Sequence, residues 1–232
     1  MNWKFMLAVL FATILVLGCS SSKTSDTGTQ IETNTNAATN NAASGTNPSF
    51  SSLMSMSPLT AYSITYGVTT NYGGETQSST IKQVISGTKM KYDITTANSP
   101  VRSVTILTDN KYYVCSLGMG QDTCFEMATD SAQPTTADQA SESAKEFENT
   151  PNIAYDGTKT IAGATTYCYK TSEDGADYRF CLHKDTGMLL GMYTTAAGTT
   201  TEMEATSFST AAPSSSEFTL PAQVQQMPSY GG

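Results

Sequence analysis

The sequence predicts a mostly-β protein of the α+β class, with an antiparallel sheet and one or two short helices behind a disordered tether. Three observations predict it. Apolar residues alternate with polar ones over several short runs, the period of strands with one buried face. Turn residues (Gly, Asn and Asp) punctuate those runs at short intervals, as in an antiparallel meander. A clear helical period occurs in one stretch only.

The strands come in order. Tyr62, Ile64, Tyr66 and Val68 alternate with Ser63, Thr65 and Gly67. Met90, Tyr92 and Ile94 alternate with Lys89, Lys91 and Asp93. Val104 and Ile106 follow, then Lys111 to Cys115. Later, Tyr167 and Tyr169 alternate with Cys168 and Lys170, and Tyr178, Phe180 and Leu182 with Arg179 and Cys181. Turns are expected at Asn71 to Gly74, Ser86-Gly87, Asp109-Asn110, Asp174-Gly175, Asp185 to Gly187 and Ala197-Gly198, from their turn chemistry. Ala137, Ala140, Ala144 and Phe147 fall at helical spacing and predict one amphipathic helix within Thr135 to Glu148. Thr135 or Thr136 can cap it, and Pro151 lies just past its end. A second helical turn is expected around Ser51 to Met56, ahead of the first strand.

Five cysteines are present. Cys115, Cys124, Cys168 and Cys181 form an even set within the β region, and four cysteines allow three pairings. Local pairing is favoured. Cys168 and Cys181 flank the Asp174-Gly175 turn symmetrically, so a register that sets residue 172 opposite 177 also sets 168 opposite 181. Cys115 ends a strand, and Cys124 follows a Gly-containing loop that closes easily. Zinc is the alternative, but the spacing lacks the close pairs of zinc knuckles and the single histidine is His183.

The fifth cysteine belongs to the N-terminus. Lys4 gives a weakly basic start, and Phe5 to Leu17 is apolar apart from Thr13. That run is short for a membrane span and suits a secretory h-region. It ends in Leu15-Val16-Leu17-Gly18-Cys19-Ser20, which resembles the lipobox of prokaryotic lipoproteins. The resemblance implies residues 1–18 as signal peptide and Cys19 as a lipidated N-terminus carrying diacylglycerol, which anchors the chain to a membrane of the cell envelope, facing the periplasm or the exterior. Two acyl chains hold far more firmly than one. Residues 19–50 are Ser-, Thr-, Asn- and Ala-rich and too polar to offset ordering entropy, so a flexible tether of roughly 30 Å mean reach is expected. The folded domain is expected over 51–222 and a disordered tail over 223–232.

Several features together resemble the LolA- and LppX-like half-barrel superfamily of lipid and lipoprotein carriers. They are the strand opening Lys89-Met90-Lys91-Tyr92-Asp93, the late turn Asp185-Thr186-Gly187-Met188-Leu189-Leu190, and the ending Phe208 … Glu217-Phe218-Thr219-Leu220-Pro221. The resemblance implies a curved sheet, a half-barrel, whose concave face holds an apolar ligand.

Charge and motif content narrow the function. Lys and Arg total 12 against 20 Asp and Glu, a net charge of -8. An acidic chain with no basic cluster has no general attraction for nucleic acid, so none is expected as a partner. No phosphate loop, Gly-x-Ser-x-Gly or His-Glu-x-x-His motif is present. His183 lacks a marked catalytic partner and reads as a surface or sheet-edge residue. Glu173, Asp174 and Asp177 read as a solvated acidic turn, with calcium as the alternative. No cofactor or metal is expected, and no enzymatic activity. Eleven methionines suit an adaptable apolar surface. Tyr62, Tyr66, Met90, Tyr92, Tyr169 and Met192 are the candidate ligand-lining residues, and plain core packing is the commoner use of such residues. The expected function is a membrane-anchored extracytoplasmic module binding a lipid or a lipoprotein acyl chain. The alternative is a surface structural or interaction lipoprotein with a packed core.

Overall fold

A computed structural model describes residues 47–56, 59–127, 152–173 and 175–225. Cys19, the tether up to residue 46, the expected helix within Thr135–Glu148, Asp174 and the last seven residues lie outside the described residues.

One short helix, α1 (Phe50–Met54), precedes the strands. Then come β1 (Ala61–Tyr72), β2 (Glu75–Ser86), β3 (Lys89–Thr96), β4 (Arg102–Thr108), β5 (Lys111–Leu117) and β6 (Thr123–Met127). The second series is β7 (Ala154–Ile161), β8 (Ala164–Glu173), β9 (Ala176–His183), β10 (Leu189–Ala196) and β11 (Thr199–Ser209). A 3-10 turn (Ser215–Phe218) and the short β12 (Val224–Gln225) end the described chain. β12 falls in the segment expected as tail. It pairs parallel to β6, where the Cys124 N–H donates to the Gln223 carbonyl at 3.1 Å.

All twelve strands form one curved, open sheet in the order β12-β6-β5-β4-β3-β2-β1-β11-β10-β9-β8-β7. It consists of two meanders, β1–β6 and β7–β11, joined where β1 pairs antiparallel with β11. Tight turns follow from backbone chemistry. Tyr72 opposes Glu75 and Thr108 opposes Lys111, each across two residues with positive φ. That is the hairpin turn whose twist matches the strands, and Gly, Asn and Asp tolerate it best. Register shifts interrupt β1–β11 at Thr65/Tyr66, β9–β10 at Leu189/Gly191 and β7–β8 at Tyr155/Gly157. Such bulges increase local twist, and all three sit in or beside the second meander.

Directly opposed residues of antiparallel strands share a face, so the registers define two faces. The helix face carries Tyr62, Ile64, Tyr66 and Val68, opposed by Ile85, Gln83, Ile81 and Ser79. It continues through Tyr169 and Phe180, which oppose each other. Here α1 docks. Ser49 caps it, accepting from the Ser52 N–H at 3.1 Å. Phe50 and Leu53 enter a cluster with Tyr169, Phe180 and Leu182, and the Phe50 ring meets Tyr169 edge-on at 5.3 Å between centroids. Burying two such side chains contributes about 1.5–3 kcal/mol each. Phe50 is therefore core, although the sequence places it at the end of the tether.

The other face holds both disulfides. Cys115 opposes Cys124 and Cys168 opposes Cys181, with S–S distances of 2.01 and 2.02 Å. Around the first, Val104, Ile106 and Leu117 form a cluster against which Leu220 and Ala222 pack. The C-terminal segment is also held by charge. Lys82 donates to both Glu217 oxygens at 2.8 and 3.0 Å. Lys91 lies 3.8 Å from Glu217 and 3.7 Å from Asp93, and Arg102 donates to Asp93 at 2.7 and 2.5 Å.

Burial pushes the Asp93 carboxyl up. The hydrogen bond and charge of Arg102, with Lys91 and Lys82, outweigh this and leave it below the ordinary carboxylate range. Glu217 is lowered chiefly by the Lys82 hydrogen bond. Carboxylates lowered by folding stabilise the native state above their unfolded values, and that stability is lost as pH falls through the folded ones. The melting temperature is therefore expected to hold steady down to about pH 5 and to fall below about pH 4. Asp93→Asn should lower it at neutral pH and shallow the acid limb, as read by circular dichroism.

Gly187 has φ +68°, and a Cβ placed there would lie 2.0 Å from the Leu53 carbonyl oxygen. The turn after β9 thus presses against the end of α1. Gly187→Ala combines a strained φ with a backbone clash and should cost more than about 1 kcal/mol, read as a lower urea midpoint with m unchanged.

Candidate ligand-binding face

The registers put all six candidate residues on the helix face. Tyr62 opposes Ile85, which opposes Met90; Gln83 opposes Tyr92. Tyr169 opposes Phe180, which opposes Met192. They form two groups with different neighbours. Tyr169 and Met192 belong to the cluster under α1. Tyr169 is 2% exposed, and its hydroxyl donates to the Pro48 carbonyl. Burial, the first cause, pushes that phenol up to about 12. This group is packed by the chain itself.

The other group lies on the first meander. Tyr62 and Tyr66 are 8% and 7% exposed and form the floor, with Ile64, Val68 and Ile85. Ile81, Met90, Tyr92, Ile94, Leu107, Tyr112, Val114 and Phe125 share this face by register and are half-buried; Met127, at its edge, is exposed. Ile81, Leu107, Tyr112, Val114 and Phe125 are not among the sequence-predicted candidates. Tyr112 and Val114 were legible from the period of β5, whereas placing Phe125 needs the register of β6.

The polar groups interspersed on this face, among them Ser79, Gln83, Ser103 and Thr105, are uncharged. The Tyr66 hydroxyl donates to the Leu189 carbonyl at 2.7 Å, tying the first meander to the bulge of β10. Gln83 donates from Nε2 to the Tyr92 hydroxyl at 2.9 Å. Burial raises the phenols of Tyr62, Tyr66 and Tyr92; neighbouring phenols add to it, Tyr92 acting on Tyr62 and Tyr112 on Tyr92.

Charge is segregated between the faces. Following the registers, every described strand lysine and arginine projects from the disulfide face, with Asp93, Glu126, Asp177, Glu202 and Glu204. The strand acids on the helix face are Glu75 and Glu173, both beside hairpin turns. Asp156 sits in the β7 bulge.

On the disulfide face, an open groove of about 630 Å³ is lined by Asp156, Lys170, Arg179 and Tyr193 among others. Its charges are already paired. Lys170 and Arg179 each lie 2.9 Å from Asp156, and Lys159 bonds Tyr193 and Glu204. The groove was not predicted from the sequence, although its residues come from the successive strands β7 to β10, because their side chains meet only through the registers of those strands.

His183, expected at the surface or a sheet edge, instead ends the interior strand β9 opposite Thr166 and is half-buried. Its Nδ1 is 2.8 Å from the Thr186 hydroxyl, and its ring meets Phe208 edge-on at 5.2 Å. Burial lowers its pKa; Asp185 opposes this and Lys184 adds to it. It is a neutral turn-packing group at pH 7. Among the described residues no three His, Cys, Asp or Glu side chains gather as a metal site, and Asp177 instead accepts from Ser172. No described helix is long and apolar enough to cross a membrane.

No protein-family model matches the sequence, and no curated protein matches it. Distant likenesses exist among solved structures. MucB covers 73% of this chain at 13% identity with a TM-score of 0.47, and the chain spans 60% of the MucB structure. LprF from Mycobacterium bovis covers 75% of this chain, which spans 97% of it, at 10% identity and a TM-score of 0.45. A LolA superfamily protein from Nitrosomonas europaea covers 73% of this chain, which spans 94% of it, at 8% identity and a TM-score of 0.35.

Two outcomes follow from the buried phenols. Because folding raises them, their contribution is present below the unfolded value near 10 and is lost as pH rises. Absorbance at 295 nm should show fewer than 12 tyrosines ionising before the chain unfolds in alkali. Tyr66→Phe should cost about 1 kcal/mol by orphaning the Leu189 carbonyl, measured by urea unfolding.

Proposed function

We propose that this protein is a lipid-anchored, extracytoplasmic, non-enzymatic module that holds an acyl chain, free-standing or part of another lipoprotein's anchor, against the helix face of β1–β6. The single observation that carries this reading is the continuous, half-exposed and almost uncharged apolar face made by Met90, Tyr92, Leu107, Tyr112, Val114 and Phe125 above Tyr62 and Tyr66. Soluble chains seldom leave so wide an apolar surface without a use for it. Two disulfides suit an oxidising compartment outside the cytoplasm. The lipobox-like Leu-Gly-Cys19 supplies the anchor in this reading. The proposed ligand-lining set is Tyr62, Tyr66, Met90 and Tyr92; Tyr169 and Met192 support α1.

The occupation of Tyr169 and Met192 by α1 favours a second reading, a surface interaction module that binds no lipid. Native mass spectrometry of the chain purified from an exporting host separates the two. Lipid co-purifying at fixed stoichiometry, and lost on Leu107→Asp, is the expected result. An apo mass that stays apo with added fluorescent acyl chains would leave the interaction module. Release of the anchored chain by lipoprotein lipase, and its absence in Cys19→Ala, tests the anchor separately.

A further inference from the structure

The segregation of charge says what kind of acyl group the helix face accepts. On the first meander this face offers neutral polar groups, the phenols, the Gln77 and Gln83 amides and hydroxyls such as Ser79, Ser103 and Thr105, and the strand lysines and arginines all lie on the opposite side of the sheet. An ionised carboxylate laid here would lose water and find no cation. An ester carbonyl or a hydroxyl needs one donor and no counter-ion. Donors are present. The phenols of Tyr62 and Tyr92 lie beside the Gln83 amide. The Tyr66 proton is committed to the Leu189 carbonyl, so it takes no part.

We infer, on the acyl-binding reading above, that this face takes uncharged, esterified acyl groups and excludes ionised fatty acids, with Tyr62, Gln83 and Tyr92 meeting the ester. The acidity of the whole chain, with a net charge of -8, works in the same direction by repelling anions at long range.

A matched pair of probes tests this. The full-length chain is loaded with a pyrene-labelled acyl methyl ester, and methyl oleate or oleate competes at pH 8 and at pH 4.5. At pH 8 methyl oleate should displace the probe at a concentration at least about tenfold below that of oleate, a difference of about 1.4 kcal/mol. At pH 4.5, where the fatty acid is largely neutral, the gap should close. Thr105→Lys places a cation opposite Tyr92 and should improve competition by oleate at pH 8 while leaving methyl oleate nearly unchanged. Should that variant fail to fold, the wild-type pair still decides. Equal competition by both probes at pH 8 would overturn the inference and leave acyl binding standing. If the pyrene ester itself does not bind, the acyl-binding reading fails and this inference falls with it.

Discussion

The pairing of β1 with β11 is the constraint on which the rest depends. Every other strand pair joins neighbours in sequence, apart from the two-residue contact of β12 with β6. The β1–β11 ladder sets Ile64 opposite Phe208 and Val68 opposite Met203. Without it there are two separate meanders, each with an open edge and half a core. With it, Tyr62, Ile64, Tyr66 and Val68 form one cluster with Leu190 and Ala205 of the second meander. The Tyr66–Leu189 hydrogen bond crosses the same seam. Loop closure over so long a separation has a large entropic cost, which the apolar burial at the seam must offset.

That seam also aligns the two faces across the whole sheet. A one-residue slip between β1 and β11 would bring charged residues of one meander onto the apolar side of the other. The bulge at Thr65/Tyr66 absorbs an extra residue without exchanging the faces. The result is a sheet with dissimilar sides. One side is charged, carries the disulfides and is covered in the first meander by the C-terminal segment through Glu217, Leu220 and Ala222. The other side is apolar and phenolic, covered by α1 in the second meander and half-exposed in the first.

The mostly-β class, the antiparallel order and both disulfides were legible in the sequence because each is written locally. Tyr62 to Val68 and Lys89 to Ile94 alternate cleanly because one side of each strand is apolar. Both cystines join neighbouring strands, so counting outward from a turn finds them. The short helix was legible within a residue or so, and Phe50 shows why its start was missed: its role depends on Tyr169, far along the chain. β11 reads poorly because its sequence, TTTEMEATSFS, is rich in Thr and Glu, with both glutamates on the charged side. The first six residues of β2 are polar on both faces and carry no alternation to read. As for the site, Tyr62, Tyr66, Met90 and Tyr92 were legible as an apolar set. Their separation from Tyr169 and Met192 was not, because no local signal says where α1 docks.

Both disulfides close over short separations, of 9 and 13 residues, and the two spans do not overlap. Cysteines that enter an oxidising space in chain order therefore meet their correct partners first. In that order Cys124 is the first thiol to follow Cys115, and once they are joined Cys181 is the remaining partner for Cys168 in the domain. Consecutive oxidation yields the native pairing without reshuffling. The covalent framework of each meander thus joins only its own neighbouring strands and does not require the seam between β1 and β11.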